Sequence, residues 1–273
     1  FSPITTTLGS LPAKRSGAQP AAASLMVRLL REAGVRPGDR IAVDSSGSFP
    51  GFAIATLIAA RSLRVETTAI VSVGASTYGA NRPDFTLPDM IHLLAARGML
   101  KAEPAAVSPG GSSDAGPDME PAALAAALQR AGQRNIPVLR IPDLAQDVAA
   151  KRAVLGRPRV LVSIGGNWAS AGPGEGVLGR TGLLRPGDFG PGGPTGTGLI
   201  QSCLRDGIPV IRILDVQDLC ARTGLPFDPI PWPAGPLTGQ GRPVRLAAAL
   251  GLVLAFGTAF WIRRTAGGAS RPR

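Results

Sequence analysis

The 273-residue chain has two cysteines, one histidine, one tyrosine and three lysines. Two cysteines cannot build a disulfide framework, which excludes a stapled mini-domain. His92 is the single histidine, so His-based zinc sites and Ser-His-Asp catalysis are disfavoured from the start. One tyrosine and three tryptophans offer few platforms for stacked bases, and the arginines are scattered, which argues against nucleic acid as a partner. The G-x-S-x-G elbow of serine hydrolases is absent: Gly47-Ser48-Phe49-Pro50-Gly51 places its serine next to the first glycine. No metal-ligand cluster or cofactor fingerprint stands out, so the expectation is a site with neither metal nor cofactor.

What the chain does have is mostly apolar and small. Hydrophobic residues make up 44% and charged residues 17%, a composition able to bury a core. Glycine (36) and proline (26) together give 62 of 273, just under the level at which low complexity becomes the default reading. The net charge is +11, and with only Lys14, Lys101 and Lys151 as lysines the excess is arginine. Residues 242–273 hold six arginines and no acid, so 11 − 6 leaves +5 for residues 1–241. Codon bias toward Ala, Gly, Pro and Arg accounts for this as well as attraction of an anionic polymer does. Composition leaves both open.

Leu246–Ile262 is seventeen residues without a charge, about 25 Å as a helix and so at the short end of a bilayer span. Trp261 marks one end, with Arg263, Arg264, Arg271 and Arg273 beyond it and Arg242 and Arg245 before it. That asymmetry predicts a transmembrane helix with the tail 263–273 in the cytoplasm and the body outside. The chain starts at Phe1, and an exported body needs a signal, so an N-terminal signal or anchor is expected to precede this sequence.

Within the body, hydrophobic patterning predicts helices over 21–33, 51–62, 87–97, 119–131, 144–155, 199–206 and 216–223. Strands are predicted over 40–43, 68–73, 104–107, 137–141, 159–164 and 209–214, with a long Gly-rich segment over 165–198. The tract from Pro226 to Pro243 reads as a linker. Strands alternating with helices predict an α/β fold, a mostly parallel doubly wound sheet with helices on both faces, followed by the C-terminal transmembrane helix. The domain plan is 1–225 for the α/β domain, 226–245 for a Pro/Gly-rich linker, 246–262 for the span and 263–273 for a basic tail.

In such a sheet the loops after the strands share one edge, where ligands bind. Asp44-Ser45-Ser46-Gly47-Ser48-Phe49-Pro50 leads from a strand into a helix, and its serines with the helix N-terminus form an anion cradle. The loop fits neither the P-loop nor G-x-G-x-x-G, and plain N-capping explains one of its serines. Gly74 to Ser76, Ser108 to Asp114 (with Gly110 and Gly111) and Ile164 to Asn167 (with Gly165 and Gly166) are the other strand-end loops. For covalent chemistry the candidates are Ser46 or Ser48 as nucleophile and Lys14 as base, since a desolvated lysine can take a proton. His92 sits in the apolar run Met90–Leu94 and reads as a structural or surface helix residue.

These motifs carry a likeness. Ser2-Pro3-Ile4-Thr5-Thr6-Thr7-Leu8-Gly9-Ser10-Leu11-Pro12-Ala13-Lys14-Arg15, Ser46-Gly47-Ser48-Phe49-Pro50 and Ser72-Val73-Gly74-Ala75-Ser76-Thr77-Tyr78-Gly79-Ala80-Asn81 are followed in order by Gly110-Gly111-Ser112-Ser113-Asp114, Ile164-Gly165-Gly166, Gly207-Ile208-Pro209-Val210-Ile211 and Gly224-Leu225-Pro226-Phe227-Asp228-Pro229. The chain resembles the poly-gamma-glutamate system protein family, found with bacterial genes that make and export poly-γ-glutamate. The family pattern includes a membrane segment before the first phrase, which this chain lacks. The resemblance implies a pathway rather than a reaction: a membrane-anchored cell-envelope protein assisting synthesis or export of an anionic γ-linked, capsule-type polymer, alongside other membrane proteins of that pathway. The expected ligand-binding set is Thr5, Thr6, Thr7, Lys14, Arg15, Ser45, Ser46, Ser48, Ser72, Ser76, Asn81, Gly110, Gly111, Asp114, Gly165, Gly166 and Asn167. The alternatives are a serine-dependent hydrolase or transferase acting on γ-glutamyl bonds, or a purely structural partner of the membrane synthase.

Overall fold

Two short helices open the chain, α1 (Leu11–Ala18) and α2 (Pro20–Glu32), and alternation then begins with β1 (Arg40–Ser45), α3 (Pro50–Leu63) and β2 (Glu66–Ser72). A small hairpin, β3 (Asn81–Arg82) and β4 (Phe85–Thr86), leads into α4 (Leu87–Ala96). After it come β5 (Ala106–Ser108), α5 (Pro121–Gln133), α6 (Leu144–Leu155), β6 (Leu161–Ile164) and α7 (Trp168–Ala171). The last elements are β7 (Gly182–Leu184), α8 (Leu199–Arg205), β8 (Val210–Ile213) and α9 (Val216–Thr223). This computed structural model describes residues 1–229 apart from 102, 167, 173–175, 178 and 192. The predicted span 246–262, the basic tail and all but the first residues of the linker therefore lie outside the described residues. Among those described, no helix is long and apolar enough to cross a membrane.

The fold is mixed α/β around a mostly parallel six-stranded sheet, in the order β5-β2-β1-β6-β8-β7. Every neighbouring pair is parallel except β7 with β8. The two-residue period of a strand sends alternate side chains to opposite faces. Ile41, Val43, Val71, Val107, Val162, Ile211 and Ile213 face a core shared with α2, α3, α4, α5 and α9. Ala42, Ile70, Ala106, Leu161 and Val210 face a second core with α6, α7 and α8. The strand order runs outward from β1 to β2 and β5 on one side, and to β6 and β8 on the other. That reversal makes the β1/β6 boundary the topological switch point, where the loops diverge and leave a crevice.

The structure corrects several sequence expectations. Asp44 and Ser45 belong to β1 rather than to the loop after it. Residues 137–141 form no strand: Val138 makes one isolated bridge to Val107, because Pro137 and Pro142 remove ladder donors on either side. The segment 165–198 contains α7 and the antiparallel β7, which its glycines masked. The helix expected from 119 starts at Pro121, at the first helical position where a missing N–H costs nothing. A second unanticipated helix is α1, a polar one capped by Ser10, whose side chain accepts from Ala13 N–H, with Pro12 in its first turn.

Candidate functional site

The site begins with the N-terminal segment, which lies along the loop after β2 like an added strand. Thr5 bridges Ala75 in parallel, Thr6 N–H donates to the Ala75 carbonyl (2.9 Å) and Thr77 N–H to the Thr7 carbonyl (3.0 Å). Gly9 N–H donates to Thr77 Oγ1 at 2.7 Å. A side chain on Gly9 would come within 2.6 Å of the Thr77 carbonyl oxygen and 2.8 Å of Ser76 Oγ, so only glycine lets the segment lie this close. The segment then turns into α1 and carries Lys14 over the edge of the sheet.

Lys14 Nζ donates to Ser76 Oγ at 2.8 Å. The lysine is buried, its Nζ lies 3.8 Å from the centroid of the Phe49 ring, and burial pushes its pKa down to about 8. At neutral pH roughly one-tenth of such a lysine is unprotonated, against well under one-hundredth for a free one. Ser76 is fixed from the other side: its N–H donates to Ser48 Oγ at 3.0 Å. Ser48 N–H in turn donates to Ser46 Oγ at 3.3 Å, and Gly47 N–H to the Gly74 carbonyl at 3.1 Å. The serine loop after β1 therefore braces the loop that holds Ser76, with Ser48 Oγ as acceptor and Gly47 N–H as donor.

Lys14 and Ser76 line a cavity of about 330 Å³, with Thr7, Ser48, Phe49 and Gly166 among its walls. A second cavity of about 280 Å³ adjoins it, lined by Thr6, Thr7, Ser46, Ser48, Gly74, Gly111, Ser112, Asp118 and Gly166. Loops after β1, β2, β5 and β6 thus meet at the switch point. Gly165, at φ +80°, belongs to the same wall, where a Cβ would overlap the Ser46 hydroxyl. Among the described residues lining the two cavities, Lys14 is the cation, while Asp118 and Asp215 are acids. Both acids have structural bonds: Asp118 accepts from Ser112 N–H at 2.7 Å, and Asp215 caps α9.

Beneath the cleft, on the other face of β1, Lys151 of α6 is completely buried among carboxylates. Its Nζ is 3.2 Å from Asp44 Oδ1 and 2.6 Å from Asp114 Oδ2. Burial opposes the lysine's charge, but Asp44, Asp114 and Asp147 outweigh it and raise its pKa. Burial pushes Asp114 up against the pull of Lys151. It pushes Asp147 up to about 7, with Lys151 again opposing. Ser108 and Ser170 donate to Asp114 and Asp44. The cluster ties the ends of β1 and β5, α6 and α7 together under the site.

Other expected site residues have supporting places. Arg15 turns away from the cavity to a bidentate pair with Asp228 at 2.5 and 2.8 Å, pinning the chain that follows α9 onto α1. Thr5 Oγ1 accepts from Asn81 Nδ2 at 3.0 Å. Ser45 and Ser72 are buried and donate to the carbonyls of Ser46 and Ser45. Gly110 turns at φ +81° against Ser72 and Gly74. Asp114 is a buried partner of Lys151 and does not line either cavity, and Asn167 lies outside the described residues. His92, on α4, pairs with Glu103 of the segment before β5, outside the cleft. Sequence reasoning missed the partnership of Lys14 with Ser76, the contact with Phe49, Asp118 and the whole Lys151 cluster. The available signal was the rarity of lysine itself, three against twenty-six arginines by subtraction from 29.

Neither a protein-family model nor a curated protein matches the chain. Among solved structures it is similar to CurK enoyl reductase at 13% identity over 88% of this chain and 51% of that one, with a TM-score of 0.32. It is also similar to O-ureido-L-serine synthase at 15% identity over 79% of this chain and 70% of that one, with a TM-score of 0.22. The chain thus spans about half the length of the first. Likenesses this distant carry no argument about activity.

Proposed function

We propose that the protein is an acyl-transfer enzyme with a serine–lysine dyad, Ser76 as nucleophile and Lys14 as base, acting on amide bonds of an anionic γ-linked polymer. One observation carries this reading: the 2.8 Å contact between Lys14 Nζ and Ser76 Oγ at a lysine whose pKa is lowered to about 8. A lysine desolvated beside a hydroxyl is a recurring way to activate serine without histidine. Neutral Lys14 takes the hydroxyl proton as Oγ bonds to the amide carbon. The C–N bond then breaks and Lys14 returns the proton to the departing amine. Water attacks the Ser76 ester, releasing the acid and restoring the serine; an amine in place of water gives transfer. Poly-γ-glutamate is the substrate to try first, because of the family resemblance. The membrane setting follows from the apolar run at 246–262.

The test is labelling of the full chain by a fluorophosphonate, with the modified residue located by mass spectrometry. The label should appear on Ser76, and its rate should rise with pH through about 8 as Lys14 loses its proton. A label on Ser46 or Ser48, or none, overturns the dyad. A second reading, carboxylate binding without cleavage, draws on the hydroxyls of Thr6, Thr7, Ser46 and Ser112 that line the second cavity. It predicts that poly-γ-glutamate binds and is never shortened.

A further inference from the structure

Three neighbouring hollows share residues of the N-terminal segment. The cavity holding Lys14 and Ser76 shares Thr7, Ser48 and Gly166 with the second cavity. It also shares Leu8 and Gly9 with a third hollow of about 470 Å³, whose walls include Ser2, Thr77, Tyr78, Asn81 and Arg82 and which has no lining residue in common with the second. Ser76 therefore stands in the middle hollow of the series, not at a blind end.

The third hollow has a marked character. Tyr78, two residues after the nucleophile, has φ +64° and is 60% exposed. A left-handed backbone at an aromatic residue is strained and persists where the surroundings enforce it, often beside functional sites. Here it leaves the ring in solvent. Leu8, lining the same hollow, is 74% exposed. The opposite hollow presents hydroxyls, backbone and the Asp118 carboxylate, which is tied to Ser112 N–H. A hollow with Leu8 and the Tyr78 ring beside Asn81 and Arg82, and another rich in hydroxyls, adjoin the one that holds Ser76 and offer surfaces for the stems and the polar groups of a chain passing through.

We propose that the cleft binds an extended amide-linked chain across Ser76, with units in the hollows on both sides, so that attack falls within the chain rather than at its end. This rests on the Ser76–Lys14 reading. The experiment uses the full chain and γ-linked glutamate oligomers (dimer, tetramer and octamer), with products followed by mass spectrometry and fluorophosphonate labelling of Ser76 run in parallel. The expected result is internal fragments from the octamer and a kcat/KM about tenfold or more above that of the dimer, because remote units supply binding energy. Tyr78→Ala should shrink that octamer-to-dimer ratio. Labelled Ser76 with single units released from one end, at a rate independent of length, overturns the chain-spanning cleft and leaves the dyad standing. Absence of both labelling and turnover overturns the dyad and this proposal together.

Discussion

Arginine and lysine have separate duties in this chain. Twenty-six arginines serve as permanent charges, as in the pairs of Arg130 and Arg134 with Asp89. Burial would raise Asp89, but the hydrogen bonds from Arg130, Thr86 and Arg134 outweigh it and hold it well below the ordinary carboxylate range. Two of the three lysines are buried. A guanidinium cannot release its proton in a protein, whereas an ammonium can. Lys14→Arg should therefore keep the positive charge beside Ser76 yet abolish the pH-dependent labelling, with any binding of poly-γ-glutamate retained within a few-fold. Labelling of Lys14→Arg at the wild-type rate would show that charge alone suffices. Sequence reasoning reached Lys14 but paired it with the serines of the β1 loop. Ser76 lies 62 residues further on, and spacing along a chain does not say which strand-end loop an N-terminal segment will cover.

At the scale of elements, the site depends on how α1 sits on α3. A Cβ at Gly51, in the first turn of α3, would be 2.5 Å from the Gly17 carbonyl oxygen of α1. One at Gly17 would be 2.6 Å from the Phe52 ring. The helices touch backbone to backbone at these glycines, and α1 carries Lys14. Gly51→Ala should destabilise the protein by about 1–3 kcal/mol through overpacking. It should also slow Ser76 labelling by roughly a hundredfold if Lys14 moves by about 1 Å. Gly132→Ala in α5, where a Cβ meets nothing within 4 Å, is the control and should change stability by less than about 1 kcal/mol. Melting curves and labelling rates of the two variants decide it. Helix α1 escaped the sequence pattern for the same reason that makes it sensitive: it is polar, short and held by glycine contacts with α3 rather than by an apolar stripe. Elements with a clear stripe or stop signal, such as α2 and α9, were legible to within a residue or two.

On the scale of the whole molecule, the alternation of strands and helices was enough to read the α/β class and the common edge of the strand-end loops. The layer beneath was not readable, because burial of charge is decided by tertiary neighbours that no local pattern encodes. Asp44, Ser163 and Arg212 are in register across β1, β6 and β8, on the face where alternation would call for apolar residues. Lys151 is the counter-charge that makes three acids tolerable there. Lys151→Met conserves length and apolar volume but leaves Asp44, Asp114 and Asp147 without their cation, a defect of about 3–5 kcal/mol. The sign of its pH dependence follows from the carboxylates. Asp147 is raised in the folded state to about 7 from 3.8, so the folded protein holds its proton more tightly than the unfolded chain does. Its contribution to stability is therefore full below about pH 4 and is lost as pH rises through about 7. Removing Lys151 takes away the attraction that opposes the rise at Asp114 and Asp147, so these two acids should be protonated over a wider range. Denaturant unfolding of Lys151→Met should show the larger deficit near pH 8, and a smaller one near pH 5, where protonation relieves the repulsion. Equal deficits at the two pH values would mean that the lysine contributes packing rather than charge. Because the cluster holds Asp44 at the end of β1 and Asp114 after β5, beneath the loops forming the cleft, the ratio of Ser76 labelling in the variant to that in the wild type should be lower at pH 8 than at pH 5, although both rates rise with pH as Lys14 loses its proton.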